Sequence, residues 1–559
     1  MDFAPWTFFG RLAINIRAIL SALGMLLLVF ACLMVVPLLV SLFYGVEPAG
    51  RALYSGAMLQ NPLQDGLVRH ERTAFGIAIA VSALAGLALR VLCRGSQARD
   101  LSVRDGFAVV TLAWITLAAM GAVPFCLAGR LGDAGSASPT FAFRSYTNCY
   151  FETISGLTTT GSSILEDVES LPNGLLFWRS FTHWIGGMGI VVLAVAIFPA
   201  LGIGGYQLYR AETSGVSRER LSPRIAESAK LLWGVYLLLT VVLVLLLLPR
   251  MSLFDALCQT FGTVATGGFS TRNASIGGFG SFYVEMVIMV FTFISGISFV
   301  LHYQAFRGNF APLLKDKQAQ FLSASILISI VLVTASVYLV KPARSPGSVL
   351  GRGTIEQQAE EEQHIEEQRR KVDSLPGALR YAAFQVVTIN CTCGFGTADF
   401  DLWPNFTRFL LVTLMFCGAS AGSTSGSLKC IRVILLLKMA RREIDKMIRP
   451  RAVLPVKLGG EVVDDEALRN VMGLFILYLL IFALATVIMT WFLPDLESAF
   501  SSVACTMGGV GPGLSTVGPA RTFAGVATPG KWVLSACMLL GRLEIYSIVL
   551  LLSSRTWKR

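Results

Sequence analysis

Ten stretches of this chain are apolar over a length that can cross a bilayer, near residues 18–42, 74–93, 106–128, 181–201, 231–249, 283–301, 320–340, 407–439, 469–493 and 532–552. That pattern leaves few folds open. A helical crossing takes roughly 20 apolar residues. Inside hydrocarbon every backbone N–H and C=O has to be satisfied within the chain, so long apolar segments become helices. Composition agrees, with 54% hydrophobic and only 14% charged residues among 559 and a mean hydropathy of +0.65, where a soluble domain carries about a quarter charged. The sequence predicts an all-α polytopic membrane protein. The first span is longer than a signal-peptide core and lacks a small-residue cleavage site, so it is kept as a helix and no secreted form is implied.

An even number of crossings puts both termini on one side, and Lys/Arg content selects the side. Segment 202–230 holds five Lys/Arg, segment 429–457 holds nine, and Arg555, Lys558 and Arg559 end the chain. These segments are expected in the cytoplasm. The net charge of +11 is then a matter of topology and contact with acidic membrane lipids. Nucleic acid is excluded as a partner, since no soluble basic domain carries the charge. Of the 11 cysteines, Cys32, Cys126, Cys417 and Cys537 fall inside apolar spans and read as small hydrophobes. Cys391 and Cys393 form an isolated C-x-C without a second pair at zinc spacing.

Between the long spans lies a pattern that occurs four times: YFETISGLTTTGSS (150–163), LCQTFGTVATGGFS (257–270), FQVVTINCTCGFGT (384–397) and FSSVACTMGGVGPG (500–513). Aligned on Gly161, Gly267, Gly394 and Gly511, the copies are 106, 127 and 117 residues apart. The widest interval contains a polar insertion, 342–376, whose Glu and Arg/Lys residues can pair at i,i+4 on a helix; topology places it outside. Each unit reads as long helix, half-length helix, Gly-rich loop, long helix. The half-length segments, about ten residues each, cannot span, so they enter and leave on one face. Exposed backbone at that depth has to be buried in protein or line a water-filled cavity. The predicted organisation is a two-helix preface over 1–100, then four repeats over 101–215, 216–310, 311–445 and 446–559, arranged pseudo-fourfold around a pore.

Such loops suit a bare alkali cation. Rings of backbone carbonyls replace its water, Gly permits the positive φ that turns carbonyls inward, and the half-helices present their negative C-terminal ends to the cavity. Thr392-Cys393-Gly394-Phe395-Gly396 resembles the potassium-channel pattern T-V-G-Y-G.

From about residue 145 onward the sequence resembles the membrane subunit of Trk-type potassium uptake systems, in the wider Trk/Ktr/HKT superfamily. The resemblance rests on HWIGGMGIVVLAVAIFP (183–199), RAETSG with SPRIAES (210–228), ATGGFST (265–271), GFGTADF (394–400), GSTSGSLKCIR (422–432), GPGLSTVGP (511–519) and GRLEIYS (541–547). It implies four M1-P-M2 repeats, a homodimer, K⁺ as the transported ion without organic cofactor, and a peripheral cytoplasmic nucleotide-binding regulatory subunit. It also implies ion contact by Thr159, Thr160 and Gly161, by Ala265, Thr266 and Gly267, by Thr392, Cys393 and Gly394, and by Gly509, Val510 and Gly511, mainly through backbone oxygens. Some plant relatives that prefer sodium carry Ser at the first filter glycine; here all four positions are Gly, which favours potassium. The chain departs from the family pattern at Cys393, where Thr or Ser is expected, and at Gly508-Gly509, where Asn is usual.

Residues Gly418 to Ser427, including Ser420, Gly422, Ser423 and Gly426, interrupt the eighth span, and the resemblance makes them a gate beneath the filter. The alternative is a tight helix-packing surface. Arg542, in the last span, is expected to face the pore below the filter, or else to pair with Glu544 or loop carbonyls. Lys429 is expected to hold the gate loop or to snorkel. Glu152, Asp255 and Glu497 either draw cations to the mouth or act as caps and local partners. His183 and His302 are expected at membrane interfaces rather than as ligands, and 211–215 offers a docking surface for the regulatory subunit or for anionic lipid.

No covalent chemistry is expected. The chain has no P-loop and no D-K-T-G motif, so as the filter subunit of an ATP-driven pump it would need a catalytic partner. G-x-S-x-G around Ser420 matches a hydrolase elbow, with His302 as its candidate base, but the motif lies inside an apolar span.

Overall fold

A computed structural model describes residues 15–44, 62–93, 103–132, 140–192, 225–340, 355–543 and 545–552. Two long helices, Ile16–Tyr44 and Pro62–Leu92, form the preface. They meet where Gly24 and Gly86 face each other, and a Cβ on either glycine would lie 2.8 Å from the other's carbonyl oxygen. Small residues at such a crossing let two backbones approach in a medium that gives no hydrophobic drive for pairing.

Four repeats of one plan follow. Each begins with a long apolar helix: Val103–Gly121 continued by Val123–Leu131, then Ile225–Leu247, Lys317–Val340 and Asp465–Met489. The half-helices come next: Tyr146–Leu157, Leu253–Val264, Leu375–Asn390 and Leu496–Gly508. They have 12, 12, 16 and 13 residues, so the 12-residue ones rise only about 18 Å. Ser252, Ser374 and Asp495 start three of them by accepting an N–H of the first turn on the side chain. The protein is an all-α, multi-pass membrane protein; among the described residues its sheet is one hairpin, Lys457–Leu458 with Glu461–Val462.

The closing helices of the second and fourth repeats depart from the expected continuous span, and that of the third is broken at the expected Gly/Ser tract. That of the first runs Asn173–Val192. In the second, Phe282–Ser295 and Phe299–Phe306 meet at a bend of 103°. In the third, Asn405–Phe416 and Cys430–Ile448 flank a loop, and in the fourth, Thr528–Arg542 and Tyr546–Leu552 are separated by a break where Ile545 has φ 49°. Among the described residues six helices are long and apolar enough to cross unbroken, seven if the bent pair counts as one, against the ten stretches read from the sequence. The breaks fall where glycine, serine or a charged residue interrupts the apolar run, and tertiary contacts take over the freed backbone groups.

The insertion forms a helix, Ile355–Val372, carrying the i,i+4 pairs Glu366–Arg370 and Glu367–Lys371. Its expected C-terminal end, 376, already belongs to the third half-helix, which starts at Leu375. Residues 342–354, the 211–215 surface, Glu544 and the basic tail lie outside the described residues.

Candidate functional site

The four half-helices end in one backbone figure. Thr159, Thr266, Thr392 and Gly509 all have left-handed φ, between 52° and 66°, and two residues later Gly161, Gly268, Gly394 and Gly511 are again at positive φ. The residue between them donates its N–H to the carbonyl five positions back: Thr160 to Ser155, Gly267 to Gly262, Cys393 to Thr388 and Val510 to Cys505, at 2.7–2.9 Å. A left-handed β-branched threonine costs roughly 1–2 kcal/mol, yet three of the four repeats carry one.

This geometry moves the second repeat by one residue. The structural counterpart of Gly161 is Gly268, not Gly267, and the triad Ala265-Thr266-Gly267 read from the sequence gives way to Thr266-Gly267-Gly268. Ala265 instead caps the half-helix.

The glycines show how the loops meet. A Cβ on Gly161 would lie 2.2 Å from the carbonyl oxygen of Gly267; on Gly268, 2.1 Å from that of Cys393; on Gly394, 1.7 Å from that of Val510; and on Gly511, 2.7 Å from that of Thr160. First repeat touches second, second third, third fourth, and fourth first. Only loops gathered around one axis give that closed cycle. The outer segments interlock in the same order, through Val168 N–H to Asn273 Oδ1 at 2.7 Å, Gly277 N–H to the Gly396 carbonyl at 3.1 Å and Phe523 N–H to the Ser163 carbonyl at 2.8 Å.

Directly against this ring lies the loop 417–429. Its base is closed by Gly418 N–H to the Leu428 carbonyl at 2.7 Å and Cys430 N–H to the Ala419 carbonyl at 3.1 Å. It is tied to the bend of the second repeat through Ser420 N–H to the Gly296 carbonyl and Phe299 N–H to the Gly422 carbonyl. Thr424 donates to the Val264 carbonyl at 3.0 Å, and Gly426 packs on the Gly508 carbonyl. Arg542 donates from Nη1 to the Thr424 carbonyl at 2.6 Å, and Lys429 donates to the Ser425 carbonyl. So both basic residues hold loop carbonyls, one of the two arrangements expected for each.

A family model described as TrkH, cation transport protein, matches residues 71–558. The chain belongs to the TrkH family. This family comprises transporters, not enzymes. The TrkH potassium uptake protein of Halomonas elongata is 37% identical over 548 residues, covering 98% of this chain and all of its own. That of Escherichia coli K12 is 35% identical over 547 residues, 97% of this chain and all of its own. The crystal structure of the potassium transporter TrkH from Vibrio parahaemolyticus superposes with TM-score 0.78 at 33% identity, over 97% of this chain and all of that one.

Other residues singled out from this TrkH-family sequence are mostly structural. Glu152 is buried against Arg179 at 2.7 Å and accepts from Ser163 Oγ and Ile164 N–H, fastening the segment that leaves the first loop. Asp255 accepts from Thr271 Oγ1 at 2.6 Å and Glu497 pairs with Arg408. All three acids have local partners. His302 has Nε2 2.7 Å from the Ile294 carbonyl, and no hydrogen bond joins it to Ser420 among the described residues, so the hydrolase arrangement is absent. His183 does not lie at an interface. It is fully buried, its Nε2 accepts the Phe269 N–H at 3.1 Å, and Nδ1, left as the donor, faces the Gly156 carbonyl at 2.7 Å. It thereby locks the second loop to the first half-helix, and Gly267 has to be glycine there because a Cβ would meet its ring at 2.4 Å. That role was missed in the sequence because a histidine at a predicted span start carries no distinctive signal.

Proposed function

We propose that the chain mediates potassium uptake across the cytoplasmic membrane, through a central pore whose selectivity filter is the ring of main-chain oxygens at Thr159-Thr160-Gly161, Thr266-Gly267-Gly268, Thr392-Cys393-Gly394 and Gly509-Val510-Gly511. The observation that carries this reading is the closed cycle of glycine-to-carbonyl approaches, which is what a four-loop filter from one polypeptide requires. The half-helices aim their C-terminal ends at the ring, favouring a cation, and the Halomonas elongata and Escherichia coli relatives are named as potassium uptake proteins. The loop 417–429 serves as the gate, since it sits against the ring and is held by Arg542 from the last helix, while Lys429 ties the loop internally. Both termini face the cytoplasm, four repeats follow a two-helix preface, and the protein works as a homodimer with a cytoplasmic nucleotide-binding subunit, as the family resemblance implies.

The test is growth of a potassium-uptake-deficient bacterium on low potassium, followed by flux of K⁺, Rb⁺, Cs⁺ and Na⁺ into liposomes holding the purified chain. Rescue that survives Ser420→Ala and needs no added ATPase subunit is expected. Failure to rescue with the protein present in the membrane, or Na⁺ flux equal to K⁺ flux, refutes the proposal.

A further inference from the structure

At the left-handed position of the filter, glycine serves without strain in the fourth repeat, while the first three repeats keep threonine. A strained β-branched residue points to work for its side chain. The Thr392 hydroxyl accepts the Gly426 N–H at 2.7 Å and donates to Ser425 Oγ at 3.1 Å. Ser425 Oγ also accepts the Ala419 N–H at 3.1 Å and reaches the Gly426 carbonyl at 3.4 Å. One filter hydroxyl thus completes the internal bonding of the intramembrane loop. The Thr266 hydroxyl donates its proton to the Ala265 carbonyl at 2.7 Å and only approaches Thr424 Oγ1, at 3.3 Å, whose own proton goes to the Val264 carbonyl. Thr159, at the same position of the first repeat, is buried with no partner for Oγ1. Of the three filter threonines, Thr392 is therefore the one whose side chain ties the loop to the ring.

We infer that Thr392 is the latch that holds the intramembrane loop against the underside of the filter. The inference rests on reading 417–429 as the gate. Retraction of the loop requires the Thr392 hydroxyl to release both the Gly426 amide and Ser425. Because the same residue gives its main chain to the ring, loop position and filter shape are coupled at one residue. Thr392 is a positioning residue for the loop in addition to its place in the ring.

The experiment is ⁸⁶Rb⁺ uptake into liposomes containing the full chain without any regulatory subunit. Thr392→Val removes two hydrogen bonds and is expected to raise uptake about tenfold. Thr392→Ser keeps the hydroxyl and is expected to show severalfold less uptake than Thr392→Val. Ser425→Ala breaks the same contact from the loop side without altering the filter, and a rise of a few-fold is expected there; it also serves if Thr392→Val does not fold. The K⁺/Na⁺ flux ratio of Ser425→Ala stays as in the wild type. Unchanged uptake in both Thr392→Val and Ser425→Ala overturns the latch, as does a Thr392→Ser value equal to that of Thr392→Val. A collapsed K⁺/Na⁺ ratio in Thr392→Val without increased uptake also overturns it, assigning the hydroxyl to the filter alone. If the wild type itself takes up no ⁸⁶Rb⁺ even when supplied with its regulatory subunit, the transport reading falls and the latch with it.

Discussion

The two glycines of the third loop, Gly394 and Gly396, should behave very differently when changed to alanine. At Gly394 the backbone has φ 77°, and an added Cβ would lie 1.7 Å from the Val510 carbonyl oxygen and 2.9 Å from Pro512 Cδ. Real Cβ atoms essentially never come closer than 3.0 Å, so the third and fourth loops would have to separate by about 1.3 Å. To that displacement is added a left-handed alanine, at roughly 1–2 kcal/mol. A shift of that size exceeds what an ion-coordinating ring tolerates when selection depends on the positions of its dipoles. Gly396 has no positive φ, and its Cβ would find its nearest neighbour, Gln385 Nε2, at 3.9 Å, an ordinary contact. The assay is paired K⁺ and Na⁺ flux into liposomes. Gly394→Ala is expected to lose at least tenfold in the K⁺/Na⁺ ratio, and Gly396→Ala to stay within twofold of the wild type. Equal effects at the two positions, or an unchanged K⁺/Na⁺ ratio in Gly394→Ala, would refute the reasoning.

Further outcomes follow from the same geometry. Gly268→Ala, with φ 85° and a clash of 2.1 Å with the Cys393 carbonyl, should lower the K⁺/Na⁺ ratio as Gly394→Ala does, whereas Ala265→Ser, one register away on the half-helix cap, should keep selectivity in the same assay. Glu152→Ala leaves Arg179 buried without its counter-ion and should destabilise the protein by about 3–5 kcal/mol, read as a lowered unfolding temperature in detergent. Outside the spanning segments, His364 Nε2 lies 3.3 Å from Asp399 Oδ2, and that hydrogen bond raises the imidazole above its ordinary value. A raised histidine stabilises the fold fully below its unfolded value, near 6.5, and loses that contribution as pH climbs through the raised folded value. The difference in unfolding temperature between wild type and His364→Gln should therefore be largest at pH 6 and shrink by pH 8; a difference that grows with pH would contradict the assignment.

Much of the architecture was legible because the bilayer imposes lengths. Spans of about 20 residues and half-helices of half that length can be counted, and four copies in equivalent slots point to a shared axis. The register of the second loop was not legible by glycine alone, since ATGGFST offers two adjacent candidates. The T-x-G spacing of Thr159 to Gly161 and Thr392 to Gly394 would have chosen Gly268, because the strained threonine is fixed by the end of the half-helix rather than by the next glycine. Breaks at Gly296–Ser298 and at Leu543–Ile545 were hidden for another reason: hydropathy sums apolar area and is blind to where a helix loses its internal hydrogen bonds to neighbours. Contacts such as His183 with Phe269 or Arg542 with Thr424 join residues 86 and 118 positions apart, and a local pattern does not record them.

The closed cycle around the ring is made by threonine, glycine, cysteine and valine carbonyls, one from each quarter of a single polypeptide. In an assembly of four identical subunits any codon change reaches all quarters at once. Here each quarter mutates on its own, so if the ring is the proposed filter, preference among ions can be adjusted one loop at a time.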